Sequence, residues 1–327
     1  MKREEKDLKL IVQIPCWNEE EVLAQTIEDI PRRIPGVAKV EILIIDDGST
    51  DGTIKVAERC GVEHIVRLRG HKGLAKAFAI GIETALRLGA DIIVNTDADN
   101  QYKGEDIVNL IQPILEKRAD VVIGVRDIHK QKEFGWIKKK MQKIGSWVVR
   151  RLSGTDIQDV TSGFRAYTAE AATKINVISE YSYTLETIIQ GERVGLVFAQ
   201  VPVRTNAKRR ESRLFKNIWY YILRSIATIA KVYTIYRPLR VFFSSGFAMF
   251  FLGFLIGLRY LYFFLMGNGK GHVQSLILSS ILIILGFQMF VVGLLANIIS
   301  ANRFLIENIL RKVRKMELKG LKAEREQ

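Results

Sequence analysis

Two apolar runs near the C-terminus limit what this chain can become more than any other feature. Val241–Met266 and Val273–Ile299 each exceed the roughly 20 residues that cross a bilayer core of about 30 Å. Only Gly267-Asn268-Gly269-Lys270-Gly271-His272 separates them, a loop too short for a domain, so the pair reads as a membrane hairpin rather than two buried core helices. Lys and Arg crowd both outer flanks, with Arg204, Lys208, Arg209, Arg210 and Arg213 before and Arg311, Lys312, Arg314 and Lys315 after. By the positive-inside rule both termini, and everything before the hairpin, face the cytoplasm, at the cell membrane if the source is prokaryotic. Arg259 sits near the far end of the first run, where its long side chain snorkels to the interface.

The 327 residues carry a net charge of +14, which points to an anionic partner. The excess gathers around the hairpin, so a membrane surface or nucleotide phosphates fit better than nucleic acid, and no nucleic-acid partner is expected. Cys16 and Cys60 are the only cysteines, too few for a disulfide framework and consistent with a reducing compartment. Met1–Lys9 is charged and lacks an apolar core, so no secretory signal is expected there. Between Arg213 and Pro238, Trp219, Tyr220, Tyr221, Tyr233 and Tyr236 interleave with cations, a pattern suited to helices lying in the membrane interface.

The remaining chain alternates two periods. Leu10–Ile14, Val40–Ile45, His64–Val66, Asp91–Thr96 and Ala119–Val125 are short β-rich apolar runs; Glu19–Ile30, Thr53–Arg59, Leu74–Leu88 and Glu105–Lys117 have helical spacing. Such alternation predicts an α/β fold, a mostly parallel sheet with helices on both faces. Ligands of such sheets bind beyond the carboxyl ends of the strands. The expected division is a soluble domain over 1–210, juxtamembrane amphipathic helices over 211–240, two transmembrane helices over 241–300 and a basic cytoplasmic tail over 301–327.

The strand ends carry the chemistry. Asp97-Ala98-Asp99 follows the apolar run Ile92-Ile93-Val94; carboxylates two residues apart leave a strand on the same side, and hard oxygens so placed suit Mg²⁺ or Mn²⁺. After the first strand, Pro15-Cys16-Trp17-Asn18-Glu19-Glu20 offers an indole to flank a nucleobase, while Asn18 can equally serve as a helix cap. After the second, Asp46-Asp47-Gly48-Ser49-Thr50-Asp51 leaves Asp46 or Asp47 to accept from a base or ribose, with Asp51 capping the next helix. Arg69-Gly70-His71-Lys72-Gly73 leads into a helix start, a setting that favours phosphate. The fifth strand ends at Arg126, a fixed cation for an anionic oxygen. Five successive strand ends with nucleotide-compatible groups weigh far more than any one.

Pro15-x-x-Asn18-Glu19, Asp46-Asp47-Gly48-Ser49-x-Asp51, Lys72-Gly73 and Asp97-Ala98-Asp99-x-Gln101 resemble the family 2 glycosyltransferases of the GT-A fold. Asp159-Val160-Thr161-Ser162-Gly163-Phe164-Arg165, with Arg126, is similar to the polyprenyl-phosphate sugar transferases of the dolichyl-phosphate mannose synthase type. The resemblance implies that Pro15, Trp17, Glu19 and Asp47 hold base and ribose, with Lys72 and Ala98 lining the donor. It implies that Asp97, Asp99 and Gln101 hold Mg²⁺ or Mn²⁺ and, through it, the diphosphate. Arg126 would meet the lipid or donor phosphates, and Arg165 would join the substrate contacts. One departure stands out: where the family often has Arg-x-x-Gly-x-Ser-Lys, this chain has Ala207-Lys208-Arg209-Arg210-Glu211-Ser212-Arg213. Arg213 can replace the Lys, and one of Lys208, Arg209 and Arg210 makes the phosphate contact, with Arg209 and Arg213 counted among the substrate-binding residues.

The implied reaction moves a hexose from a GDP- or UDP-linked donor to undecaprenyl or dolichyl phosphate, with inversion, Asp99, Asp159 and Arg126 acting at the centre. A phosphate monoester is already largely ionised at neutral pH, so a strong base is not needed. Asp159 takes a residual proton, places Arg165 or caps a turn. Membrane lipid is a further partner, and self-association into a homo-oligomer is left open. Three other readings compete. A processive polysaccharide synthase is disfavoured because Gln190-Gly191-Glu192-Arg193 is followed by Val194 instead of Trp. Transfer to a glycolipid or polysaccharide hydroxyl would require Asp159 to be a true base. A catalytically silent membrane adaptor would have no use for the intact acidic set.

Overall fold

Nearly every residue of β1 (Lys9–Cys16) is apolar, and alternate side chains of a strand leave opposite faces, so both faces must be covered. Leu10, Val12 and Ile14 enter one core and Ile11 the other. Full burial of each such side chain contributes about 2 kcal/mol. The computed structural model describes residues 8–126, 157–177, 183–206 and 230–325, apart from 232 and 236.

β1, β2 (Lys39–Asp46), β3 (His64–Arg67), β4 (Ile92–Asn95), β5 (Val121–Arg126), β6 (Arg165–Thr168) and β7 (Phe198–Val203) form one seven-stranded sheet ordered β3-β2-β1-β4-β6-β5-β7. Neighbours run parallel except at β6, which is antiparallel to β4 and β5. α1 (Leu23–Glu28), α2 (Thr53–Arg59) and α4 (Ile107–Leu115) feed the core on one face. α3 (Leu74–Arg87), α5 (Ala169–Lys174) and α6 (Tyr183–Arg193) feed the other. The expected mostly parallel sheet with helices on both faces is the fold observed. β6 and β7 are additions to the five expected strands.

The register gathers the chemistry at one end. Cys16 lies opposite Asp46, Asp46 opposite Arg67, Asn95 opposite Arg165 and Arg126 opposite Val203. The segments that follow β1, β2, β3, β4 and β7, and the one that precedes β6, therefore share one edge of the sheet.

Further along the chain, α7 (Pro238–Leu265) and α8 (Val273–Arg325) are long and apolar enough to cross a membrane, with mean hydropathies of 2.1 and 2.4 in their most apolar stretches. Small residues let their backbones approach: Ser279 Oγ donates to Gly253 O at 2.7 Å, and a Cβ on Gly246 would lie 2.8 Å from Gly286 O. From Arg311 onward the chain belongs with the sheet domain. There Leu318 packs on the α3 side of the core, Glu317 pairs with Arg87 at 3.0 Å, and Arg314 donates to Ile175 O at 3.2 Å. Trp219, Tyr220, Tyr221 and Tyr236, read as interfacial, and Lys208, Arg209, Arg210 and Arg213 lie outside the described residues.

Candidate active site

The loops after β1 and β2 are stitched together. Asn18, at φ 55, donates its N–H to Ser49 Oγ (2.9 Å) and accepts the Thr50 N–H on Oδ1 (2.8 Å). Glu19 N donates to Thr53 Oγ1, and Glu20 Oε2 accepts the Gly52 N–H. Asn18 is thus a cross-loop brace and not the cap of α1, which begins at Leu23. Asp51 does engage the start of α2, accepting the Thr53 N–H at 3.0 Å. Pro15 is buried in β1, Trp17 is 40% exposed, and Glu19 is half-buried beside it.

Asp46 and Asp47 turn inward. Asp47 accepts the N–H groups of Lys72 (2.7 Å) and Gly73 (2.8 Å), and His71 Nδ1 lies 2.8 Å from its Oδ2. His71 in turn stacks on Trp17, ring centroids 4.3 Å apart. Asp46 accepts the Ser49 N–H at 3.1 Å and is fully buried. The sequence assigned Asp47 to base or ribose; the structure spends it on shaping the β3–α3 loop, because its carboxylate is the local acceptor for that loop's N–H groups. Lys72 keeps an exposed side chain at the same edge.

The tip of β4 is built differently. Thr26 of α1 donates to Ala98 O at 2.9 Å and so fixes the buried middle of the tip. Asp99 is exposed and accepts the Gln101 N–H at 3.1 Å; Asn100 between them has φ 51. Asp97 lies against Gly163, where a Cβ would stand 2.8 Å from Asp97 Oδ1 and from Tyr183 Oη, so only glycine admits this approach. A buried chain of hydrogen bonds holds that glycine: Gln13 Nε2 donates to Asn95 Oδ1, and Asn95 Nδ2 donates to Gly163 O (2.7 Å) and to Tyr183 Oη (3.1 Å).

Among the described residues nothing donates a hydrogen bond to Asp97. Burial, then the neighbouring Asp99, push its carboxyl up to about 7 against the pull of Arg126 and Arg165. A buried carboxylate beside a second one is costly unless a cation joins them. Among the described residues no group of three or more His, Cys, Asp or Glu side chains converges. The pair therefore fits a divalent ion that takes its remaining ligands from water and substrate phosphates, the habit of Mg²⁺ and, by the same hard-oxygen preference, Mn²⁺.

Arg126, at the end of β5, is clamped by Asp159 through Nε–Oδ2 (2.7 Å) and Nη2–Oδ1 (3.0 Å), with Nη2 also donating to Thr161 Oγ1 (2.9 Å). Burial favours the neutral Asp159 carboxyl, but these bonds prevail and hold it below the usual carboxylate range. The expectation that Asp159 places Arg165 is corrected: it places Arg126. Arg165 is wholly buried and donates to Ser162 O, Thr184 O, Val160 O and Thr187 Oγ1, each at 2.8 Å. It holds the Asp159–Phe164 loop from beneath and has no face toward a substrate. Its charge still acts on Asp97 through a short low-dielectric path.

Sequence reasoning missed Asn95, Tyr183, His71, Thr161 and Asn206. Of these, only His71 and Thr161 lay within motifs already singled out.

Comparison with known proteins places these observations. The model for glycosyl transferase family 2 matches residues 11–175. An undecaprenyl-phosphate mannosyltransferase of Micrococcus luteus is 28% identical over 206 residues, which cover 60% of this chain and 83% of that relative. A dodecaprenyl-phosphate galacturonate synthase of Rhizobium johnstonii is 26% identical over 314 residues, 90% of this chain and 88% of the relative. Glucosyl-3-phosphoglycerate synthase from Mycobacterium tuberculosis, solved with Mn²⁺, uridine diphosphate and glucosyl-3-phosphoglycerate, matches at a TM-score of 0.55 and 20% identity over 69% of this chain and 79% of that one. That likeness carries the GT-A fold.

Proposed function

This chain belongs to glycosyl transferase family 2, and we propose that it moves a hexose from a GDP- or UDP-linked donor to a polyprenyl phosphate, inverting the anomeric centre. The observation that carries the reading is the Asp97 carboxylate, which receives no hydrogen bond among the described residues, beside Asp99 at the sheet edge shared with the clamped Arg126. A Mg²⁺ or Mn²⁺ ion held by Asp97 and Asp99 would neutralise the departing nucleoside diphosphate. Trp17 and Glu19 frame the base at the neighbouring strand end, with Pro15 and Asp47 shaping that pocket. Arg126, locked in one geometry by Asp159 and Thr161, offers a preorganised cation to a phosphate oxygen. Gln101, beside the acidic pair, and Arg209 and Arg213, before the hairpin, are assigned to the metal loop and the lipid phosphate.

The structure supports a phosphate nucleophile over a hydroxyl one. Transfer to a hydroxyl needs a base with a receptive lone pair. Asp159, the carboxylate assigned that task, accepts two bonds from Arg126 and one from Thr161 and is held below its ordinary range. A phosphate monoester needs no such help. The apolar helices keep the enzyme where a polyprenyl tail resides, with the catalytic domain on the cytoplasmic side. The relative that spans 90% of this chain, helices included, is named for a dodecaprenyl phosphate product.

The test uses the full chain in membranes with radiolabelled UDP- and GDP-sugars, undecaprenyl and dolichyl phosphate, and Mn²⁺ or chelator. Label entering the organic phase, and its loss on chelation, is the expected result. Label that stays aqueous with every lipid phosphate but reaches a glycan overturns the acceptor assignment.

A further inference from the structure

Resting on the proposed metal site, we infer that Asn206 is a positioning residue for the Asp97–Gln101 loop: it holds Asn100 in the left-handed turn that sets the direction of Asp99. Asn100 has φ 51, a conformation most L residues avoid and Asn tolerates. Such a turn between Asp99 and Gln101 needs an external hold, and the segment after β7 supplies it. Asn206 Nδ2 donates to Asn100 O at 3.0 Å and to Asn100 Oδ1 at 3.2 Å. The Asn206 N–H donates to Gln101 O at 2.9 Å, so one residue brackets both members of the turn.

The hold is anchored in its own right. Thr205 pairs antiparallel with Tyr102, and Lys103 N donates to Arg204 O at 3.3 Å. Arg204 is fastened by its N–H to Asp106 Oδ2 (2.6 Å) and by its side chain to Asp106 Oδ1 (2.9 and 2.7 Å). Residues 204–206 thus form a fixed rail along residues 100–106, and the amide of Asn206 is the part of the rail that grips the turn itself. No motif in the sequence marks Asn206, which lies about a hundred residues from the loop it holds.

The experiment measures Mn²⁺ binding by electron paramagnetic resonance of free Mn²⁺, with uridine or guanosine diphosphate present, on the full chain in detergent. Asn206→Ala is expected to weaken Mn²⁺ binding about tenfold, as two hydrogen bonds that order the turn are lost, while the melting temperature stays within a few degrees. Asn206→Asp, which keeps the volume and removes the donor, should weaken it similarly. Asn100→Gly, free to adopt positive φ without help, should bind Mn²⁺ as the unmodified protein does, and combined with Asn206→Ala should restore most of the affinity. That rescue separates loop positioning from general destabilisation. Unchanged Mn²⁺ affinity in both Asn206 variants, or a double variant as weak as Asn206→Ala, overturns the inference. Absence of nucleotide-dependent Mn²⁺ binding by the unmodified protein overturns the parent reading, and this one with it, before any variant is made.

Discussion

Asp46-Asp47 and Asp97-x-Asp99 stand at the ends of β2 and β4, which flank β1 in one sheet, and in the sequence they look alike. The structure gives them opposite surroundings. Asp47 accepts two backbone N–H groups and meets His71, and Asp46 accepts a third N–H on Oδ1 while its Oδ2 lies 3.7 Å from Arg67 Nε, so these acids hold loops in place. Asp97 receives no hydrogen bond among the described residues, and its carboxyl is pushed up by burial and by Asp99. The lesson is that a motif acid is sorted by its donors: one engaged by the chain's own N–H groups is architectural, and one denied them among the described residues awaits a cation.

Breaking the second pair should have the largest effect. Asp97→Ala or Asp99→Ala is expected to lower sugar transfer by about a thousandfold or more, with little change in melting temperature, since Asp99 is exposed and its bond to the Gln101 N–H is local. Rates and thermal melts on the same preparations check this. A large loss of stability with modest loss of rate would put this pair in the architectural class.

Asp159 sharpens the contrast, because it is saturated yet sits at the site. Asp159→Asn is expected to cut the rate about a hundredfold by loosening Arg126, and to leave the acid limb of the pH–rate profile in place. A shifted limb would mean that Asp159 exchanges a proton in the reaction. The substitution should also destabilise the domain by about 3 kcal/mol, as the half-buried Arg126 guanidinium loses its carboxylate partner.

The architectural pair should behave the other way. Asp47→Ala is expected to lower stability by about 2 kcal/mol, stranding the Lys72 and Gly73 N–H groups, and to raise the donor KM several-fold with a smaller change in kcat. Differential scanning fluorimetry and initial rates separate the two.

Glu41 offers an architectural acid remote from the strand tips, and a smaller, pH-gated effect. Burial works against its charge, but bonds from Lys39, Lys9 and His64 hold its carboxyl down at about 2, against an ordinary 4.5. A depressed carboxylate stabilises the fold above its unfolded pKa and loses that contribution as pH falls toward the folded one. A contribution on the order of 3 kcal/mol is therefore expected to vanish between about pH 4.5 and about pH 2. Glu41→Gln should flatten that part of the stability curve, as acid titration followed by circular dichroism would record.

What the sequence disclosed follows the reach of its interactions. β1 to β5 are continuous apolar runs with local turn signals, and each was expected within a residue or two. β6 is only Arg165–Thr168, opens on a buried arginine and draws its stability from strands on both sides, so no local pattern announces it. The strand-end motifs do gather at one edge of the sheet. Roles within it depend on partners far along the chain: Arg126 with Asp159, Asp47 with Lys72 and Gly73, Asn100 with Asn206. Arg165 looked like an anion contact because charge is legible in a sequence and burial is not.

The contrast between the two acidic strand ends is tested most directly by anomalous diffraction at the manganese edge from crystals grown with Mn²⁺ and a nucleoside diphosphate. The account predicts a single strong peak between the Asp97 and Asp99 carboxylates, with diphosphate oxygens completing its shell and Asp46 and Asp47 still bonded to their loops. A peak seated on Asp46 or Asp47, with Asp97 and Asp99 uninvolved, would contradict it.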